Sequence, residues 1–469
     1  MNRTLQRIYD SSPAVLQDLW LSAYSIYIHC ERYGKAFNEV YAEFLKNQWL
    51  SHEQLVSWQN ERIRRLIEHA YCNVPYYRDV MNNLNLRPAD IRSGQDLAKL
   101  PVLTREDIKE NSQRLVAENI GRLKRKGLVK GHTSGTTGSP LEFYWDRATC
   151  VVNNAVDWRQ KSWAGIGQFE RCAVILGRTI VPIDRQRPPF WRVNHIHRTL
   201  WLSAFHMSPE NLPLYVRALK EFKPSYIEGY PSTLYILAKF ITARREQVPL
   251  KAAFTSSETL FPVQRDTIEE AFGTRLFDFY GLAERVVFAT ECEQHSGHHL
   301  NMDYGLSEIV DGEGQVVKRG ELGWMVGTGL HNFAMPLIRY KTNDITRERT
   351  SPCPCGRQFP LVDDVTTKAE DIITTLDGRF ISSSTLTHPF KPLENIVESQ
   401  IVQEDISNIV IKIVKGPAYC DKDTTSLVEA MSARIGKGMD IHVEFVDRIA
   451  RTASGKLRWV ISKVPLRIG

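Results

Sequence analysis

Gly131-His132-Thr133-Ser134-Gly135-Thr136-Thr137-Gly138-Ser139-Pro140 is the stretch whose reading decides the fold. Small hydroxyl residues and glycines in this density do not pack a core, but they can wrap a polyphosphate. Glycine lets the backbone approach closely and adopt φ > 0, so that successive N–H groups point at anionic oxygens. The Ser and Thr hydroxyls add donors. No Gly-Lys-Ser/Thr follows a Gly-x-x-x-x spacing, which excludes a Walker loop. Composition alone fits an ordinary polar loop. The ordered string Ser134-Gly135-Thr136-Thr137-Gly138-x-Pro140 shifts the reading to a phosphate cradle.

The rest of the chain is that of a multi-domain globular protein. Its 469 residues are 42% hydrophobic, 24% charged and 10% aromatic, enough for a large core without staples. The net charge of +6 is spread along the sequence. No basic tail, RNP-like string or basic helix repeat is present, so nucleic acid is not an expected partner; an anionic ligand such as ATP is a sufficient use for mild positive charge. No apolar run of about 18 residues occurs, so no membrane span is expected. Residues Met1–Asp18 carry Asp10 and Asp18 and no apolar block, which argues against a signal peptide. Residues 19–30 are amphipathic and aromatic, and the expectation is a helix packed on the body rather than one touching a membrane surface. Eight cysteines without a secretory signal point to a reduced, cytoplasmic protein.

Periodicity organises the chain further. Leu55, Ile63, Leu66, Ile67 and Ala70 recur at helical spacing within a helical region over 12–80, which Asn73-Val74-Pro75 interrupts. Cys172–Leu176, Ser225–Glu228, Ala252–Thr255 and Leu276–Tyr280 are candidate strands, with a helix over Ser232–Arg245. This alternation predicts an α/β domain with a largely parallel sheet. Ser307–Val310 and Gln315–Lys318 flank Asp311-Gly312-Glu313-Gly314 as a hairpin, continued by Leu322–Thr328 and Leu337–Tyr340. A small α+β unit closes the chain, with strands Asn408–Val414 and Asp440–Val446 and a helix over Thr424–Ile435. The predicted domains are a large N-terminal domain over 1–367 and a small C-terminal α+β domain over 368–469, which the resemblance set out below makes an adenylation domain and a mobile lid.

Three further strings carry chemistry. Phe279-Tyr280-Gly281-Leu282-Ala283-Glu284 follows a predicted strand, where α/β sheets bind ligands, and Glu284 is a suitable Mg²⁺ ligand. Ile338-Arg339-Tyr340-Lys341-Thr342-Asn343-Asp344 ends in a carboxylate able to accept two ribose hydroxyls. Arg451-Thr452-Ala453-Ser454-Gly455-Lys456-Leu457 places one lysine after a flexible Ser-Gly. Each string alone also fits a solvated turn. Together, in this order and spacing, they resemble the adenylate-forming superfamily, and within it the phenylacetate–coenzyme A ligase family and its CapK-like branch. Ala70–Arg78, Glu228-Gly229-Tyr230-Pro231-Ser232, Thr255-Ser256-Ser257-Glu258-Thr259-Leu260 and Ala334–Tyr340 add to the resemblance, which runs over roughly 50–460.

The resemblance implies an ATP-dependent ligase that activates a small-molecule carboxylic acid as acyl-AMP and transfers it to coenzyme A. It implies that Ser134, Gly135, Thr136, Thr137 and Gly138 hold the phosphates. Ser257, Glu258, Tyr280 and Gly281 line the nucleotide, Tyr280 being placed to stack on adenine or line the acyl pocket. Glu284 binds Mg²⁺, Asp344 the ribose, and Lys368 stands at the hinge. Thr137, Glu284 and Lys456 are the implied catalytic residues. Phe205, His206, Tyr230 and Ser257 approach the acyl pocket, and a homodimer is the implied assembly. The sequence departs from the family at Asn343 (usually Gly), at Thr367-Lys368 (usually Gly-Arg) and at Ile381-Ser382-Ser383-Ser384-Thr385, where coenzyme A ligases are glycine-rich. These departures open two alternatives: acyl or adenylyl transfer to an amine or hydroxyl acceptor in surface polysaccharide biosynthesis, and a non-catalytic nucleotide-binding scaffold. Cys353-Pro354-Cys355, with Cys292 and His298, forms a Cys₃His set suited to a structural Zn²⁺. Among His295, His298 and His299, His298 is chosen because the family's histidine follows the cysteine by six.

Overall fold

The structure is a computed structural model. It describes the chain except residues 1–8, 122–127, 133–140, 183–184, 209, 366–371, 377–379, 383–385, 387, 391–392, 394, 437, 452–456 and 466–469. The N-terminal helical region resolves into α1 (Ala14–Arg32), α2 (Lys35–Asn47), α3 (His52–Asn73) and α4 (Pro75–Asn83). Ser51 and Gln54 form a capping box at the start of α3, satisfying two otherwise orphaned N–H groups. Pro75 ends one helix and starts the next, because proline lacks the N–H that a helix interior needs but a first turn does not.

β1 (Val129–His132) and β2 (Glu142–Trp145) form an antiparallel hairpin around 133–140, with His132 opposite Glu142. α5 (Arg147–Trp163) follows, N-capped by Asp146, which accepts from the Thr149 backbone N–H at 2.7 Å.

The central sheet is built next. Its strands are β3 (Cys172–Leu176), β4 (Trp191–Asn194), β5 (Thr199–Ser203), β6 (Tyr226–Gly229), β7 (Ala252–Ser256), β8 (Arg275–Gly281), β9 (Phe288–Glu291), β10 (His298–Leu300) and β14 (Leu361–Val362), in spatial order β14-β10-β9-β8-β7-β6-β3-β5-β4. The five strands from β8 to β5 run parallel. Their near-continuous apolar sequences follow from burial on both faces. Ala173, Ile175 and Ile227 pack under α6 (Leu212–Phe222), α7 (Pro231–Ala243) and α8 (Pro262–Phe272). Val174, Phe254 and Phe277 pack under α2 and α5.

A second sheet orders β11 (Gly305–Val310), β12 (Leu322–Gly329) and β13 (Tyr340–Arg347). Two expectations change here. Gln315–Lys318 forms no strand, only an isolated bridge between Val310 and Val316. The last strand begins rather than ends at Tyr340, so Asp344 lies within β13 and not after it. The cause is Arg339, a buried residue at φ +54 whose guanidinium reaches Glu308 at 3.0 Å and the Leu100 and Gly314 carbonyls; the chain must turn there before extension can start.

The C-terminal unit has an antiparallel pair, β15 (Ile372–Thr374) with β16 (Phe380–Ser382), its own four-stranded sheet, β19 (Asp440–Phe445), β18 (Asn408–Lys415), β17 (Ile396–Gln403), β20 (Val460–Ser462), and its own core around Ile401, Ile411, Leu427 and Met431 under α9 (Asp421–Ile435). The boundary expected at 367/368 falls outside the described residues. Among the described residues no helix is long and apolar enough to cross a membrane.

A buried ion pair ties the layers together. Arg159 of α5 and Asp303 are both fully buried, bridged by two hydrogen bonds of 2.6 and 2.8 Å, with the Phe44 carbonyl accepting a third at 3.1 Å. Removing one partner strands the other charge without water. Arg159→Ala is expected to destabilise the fold by about 3–5 kcal/mol in chemical denaturation; a change below about 1 kcal/mol would show that the pair is not what holds α5 to the sheet.

Candidate active site and metal centre

The parallel strands end at one edge, where β8 delivers Tyr280 and the turn after it delivers Glu284. β13 crosses from the second sheet and delivers Tyr340 and Asp344. The four side chains exchange hydrogen bonds crosswise: Tyr280 donates its hydroxyl to Asp344 Oδ2, and Tyr340 donates to Glu284 Oε1 at 2.9 Å. All four are buried. Burial pushes Glu284 above the usual carboxylate range; the Tyr340 hydrogen bond and the Arg105 charge oppose this. Thr342 supports the turn into Asp344, accepting from the Asp344 N–H at 3.1 Å and donating to the Met325 carbonyl at 3.0 Å. Asn343, where the family has glycine, sits at φ +64, a region asparagine tolerates better than most residues.

Expected site residues fall into two groups. Ser134, Gly135, Thr136, Thr137, Gly138, Lys368 and Lys456 lie outside the described residues. The flanks of 133–140 are described, and they lead to the same corner. The guanidinium of Arg285, next to Glu284, lies 4.0 Å from the centre of the Trp145 ring at the end of β2. That cation–π contact fixes the hairpin beside the carboxylates. Gly131 passes under the same ring so closely that an added Cβ would fall 1.7 Å from it. Sequence reasoning missed Arg285 and Trp145; the signal available was an arginine directly following the Glu284 motif.

Glu258 does more than line a pocket. Its Oε2 accepts from the Ser232 N–H at the start of α7, 3.0 Å away, and its Oε1 accepts from the Leu457 N–H at 3.0 Å. Trp459 follows, its ring 4.8 Å from that of Phe261. The residue after Lys456 is therefore held against the α/β core. Ser257 is exposed at φ +70. Glu228, in the motif ending at Ser232, pairs with buried Lys161 at 2.6 Å, and Lys161 also meets Asp157 at 2.7 Å. His206 is buried against Phe190, 2.8 Å from the Ser203 hydroxyl.

A second cluster lies at the far edge of the central sheet. Cys292, His299, Cys353 and Cys355 bring one donor atom each within 4.8 Å of one another. Cys292 Sγ is 3.6 Å from Cys353 Sγ, and Cys355 Sγ is 3.4 Å from His299 Nε2. A tetrahedral zinc with bonds near 2.3 Å spaces its sulfur ligands by about 3.8 Å, so the donors fit that ion in both type and separation. The histidine that shares this cluster is His299, not His298. Both stand on β10, where successive side chains face opposite sides. His298 points to Asp278, 3.1 Å away; burial disfavours its cation, yet Asp278, Glu291 and Asp364 together raise its pKa to about 9. Its ring nitrogens face Asp278 and Asp364 rather than the three cysteines.

Comparison with known proteins places this geometry. The fold is shared with 2-hydroxyisobutyryl-CoA ligase in its postadenylation state, with a TM-score of 0.69 at 21% identity over 88% of this chain and 91% of the other. The same enzyme in its thioesterification state gives 0.55 over 89% and 91%. The architecture is thus that of the adenylate-forming ligases. Residues 373–463 match the CapK C-terminal domain family. Protein CapK of Staphylococcus aureus is 26% identical over 468 residues, covering 98% of this chain and all of the relative. Phenylacetate-coenzyme A ligase of Thermus thermophilus is 26% identical over 350 residues, covering 69% of this chain and 72% of the relative. The chain is thus similar to CapK over its whole length and to phenylacetate–coenzyme A ligases over about two thirds of it.

The crossed pairing predicts an asymmetric response. Tyr340→Phe keeps the ring and leaves Glu284 without its donor, and should lower stability by about 1–3 kcal/mol. Tyr340→Phe combined with Glu284→Leu should recover part of that loss. An uncorrected double variant, measured by thermal unfolding, would contradict the pairing.

Proposed function

We propose that this protein activates a carboxylic acid with ATP and passes the acyl group to a nucleophile. The observation that carries the proposal is the pair of buried carboxylates, Glu284 and Asp344, held by Tyr340 and Tyr280 at the end of the parallel strands, with the hairpin that bears 133–140 pinned beside them. An acid oxygen attacks the α-phosphorus, the bond to the β-phosphate breaks, and pyrophosphate leaves. The nucleophile then attacks the acyl carbon and AMP departs.

The chain's own residues supply position and charge rather than covalent chemistry. Ser134, Thr136 and Thr137 grip the phosphates. Asp344 accepts the ribose hydroxyls, and Lys456 meets the charge developing between carboxylate and α-phosphate. Glu284 is the group that would hold Mg²⁺: its carboxylate is buried and pushed towards the neutral form, a state that a divalent cation reverses by supplying the missing counter-charge. Mg²⁺ would neutralise phosphate charge there. Glu258, by gripping Leu457, sets where Lys456 enters.

Coenzyme A is the acceptor suggested by the phenylacetate–coenzyme A ligases. An amine or hydroxyl acceptor is suggested by the C-terminal unit, whose match is to CapK, and by Ser382 to Ser384 where coenzyme A ligases carry glycine. The reaction would run in the cytoplasm, where ATP is available. We further propose that Cys292, His299, Cys353 and Cys355 hold a structural zinc, since together they supply the four donors of a closed tetrahedral site.

Two measurements test this reading. Pyrophosphate exchange into ATP should depend on added acid, and Lys456→Ala and Asp344→Ala should each reduce it by about 100-fold or more; exchange unchanged in both would refute the assignment. Purified protein should contain about one zinc, lost in His299→Ala and kept in His298→Gln. Metal retained in the first variant and lost in the second would reverse the choice of ligand.

A further inference from the structure

α1 is built inside out. Its inward face is polar. Gln17, Ser22 and Ser25 are buried, and they serve β4, the edge strand of the central sheet. Asp18 accepts from the Val193 N–H at 3.0 Å, and Ser22 accepts from the His195 N–H at 3.0 Å. Arg192 donates to the Gln17 side-chain carbonyl, and the Asn194 amide to the Ser25 hydroxyl. These contacts close the open edge of the sheet, whose unpaired N–H groups would otherwise invite another strand.

The outward face is apolar. Val15, Leu16, Leu19, Trp20, Tyr24, Ile26 and Tyr27 are all exposed, Val15 at 71%, Tyr24 at 61% and Trp20 at 51%. At 100° per residue they share one side of the helix, and among its described side chains that side carries no charge. Nineteen residues make a ridge about 28 Å long. Ile196, in the turn after β4, is also exposed at 47%. A helix that spends its polar residues on its own protein and presents its aliphatic and aromatic ones outward is not an ordinary amphipathic surface helix, whose apolar stripe faces the core.

The charges around the ridge select its occupant. Exposed side chains at its C-terminal end are basic: Arg32, Lys35, Arg198 in the β4–β5 turn, and Arg147, which donates to the Cys30 carbonyl at 2.8 Å. Of the two acids in α1, Asp18 is turned inward to β4, and Glu31 directly precedes Arg32 in sequence. Arg3 and Arg7 precede the helix in sequence. An anionic lipid surface complements this basic frame. Trp and Tyr suit the headgroup level, where an amphipathic ring has both a wet and a dry side, and aliphatic side chains suit the acyl boundary beneath. We infer that α1 is an interfacial docking helix, by which the protein lies on an anionic membrane surface with its α/β sheet edge towards the lipid.

The test uses the full chain with unilamellar vesicles of phosphatidylcholine alone and of phosphatidylcholine mixed with phosphatidylglycerol. The protein should sediment with the mixed vesicles, less with the neutral ones, and less with both as salt rises. Trp20→Glu combined with Tyr24→Glu should lower the bound fraction about tenfold or more while leaving the unfolding midpoint in place, because both side chains are more than half exposed. Two results overturn the inference. One is a wild-type protein that stays in the supernatant with anionic vesicles at low salt. The other is a wild-type dimer in sedimentation equilibrium that the same double substitution dissociates, which would assign the ridge to a second copy.

Discussion

Four groups that would each be unstable alone in a dry interior are stable together at the end of β8. A buried carboxylate loses its water shell, and a buried phenol loses an acceptor; either loss costs several kcal/mol if left uncompensated. Crossing the partners, Tyr280 to Asp344 and Tyr340 to Glu284, satisfies both phenols and both acids with one contribution from each sheet. The exchange therefore acts as a clamp between the nine-stranded sheet and β13. It also holds two carboxyl groups where the parallel strands deliver their ligands.

Strain collects around this clamp. Ser257, Arg285, Arg339 and Asn343 all have positive φ without being glycine. Each stands one residue from a group the site uses: Glu258, Glu284, Tyr340 and Asp344. Such conformations persist only where the surroundings impose them. Here the impositions are visible. The Trp145 ring holds Arg285, the Glu308 carboxylate holds Arg339, and the Thr342 hydroxyl holds the turn at Asn343. Rigid corners of this kind suit a reaction that depends on alignment rather than on a covalent intermediate.

The sequence revealed the chemistry more readily than the contacts. Four of the central strands are apolar blocks between turn residues and could be read within a residue or two. Tyr280, Glu284 and Asp344 could be named because their side chains suit ATP, but their mutual pairing depends on partners 56 and 64 positions apart, which no local pattern encodes. The error at Leu337–Tyr340 has a local cause: an apolar run looks extended, and nothing in it announces that Arg339 will be buried. His298 and His299 differ by one position on a strand, so the choice between them needed the register of β10. α1 misled in the opposite sense. Its periodicity was plain, but periodicity does not say which face turns inward, and here hydrogen bonds to a sheet edge outweighed the burial of seven apolar side chains.

The central claim is that Asp344 and Glu284 mark the nucleotide site. Its most direct test is a crystal structure with a non-reactive acyl-adenylate mimic, in which the acyl phosphate is replaced by a sulfamate. The ribose hydroxyls should rest on Asp344, with the sulfamate between the 133–140 loop and Lys456. A mimic bound elsewhere, with the Tyr280–Asp344 corner empty of ligand, would contradict the account.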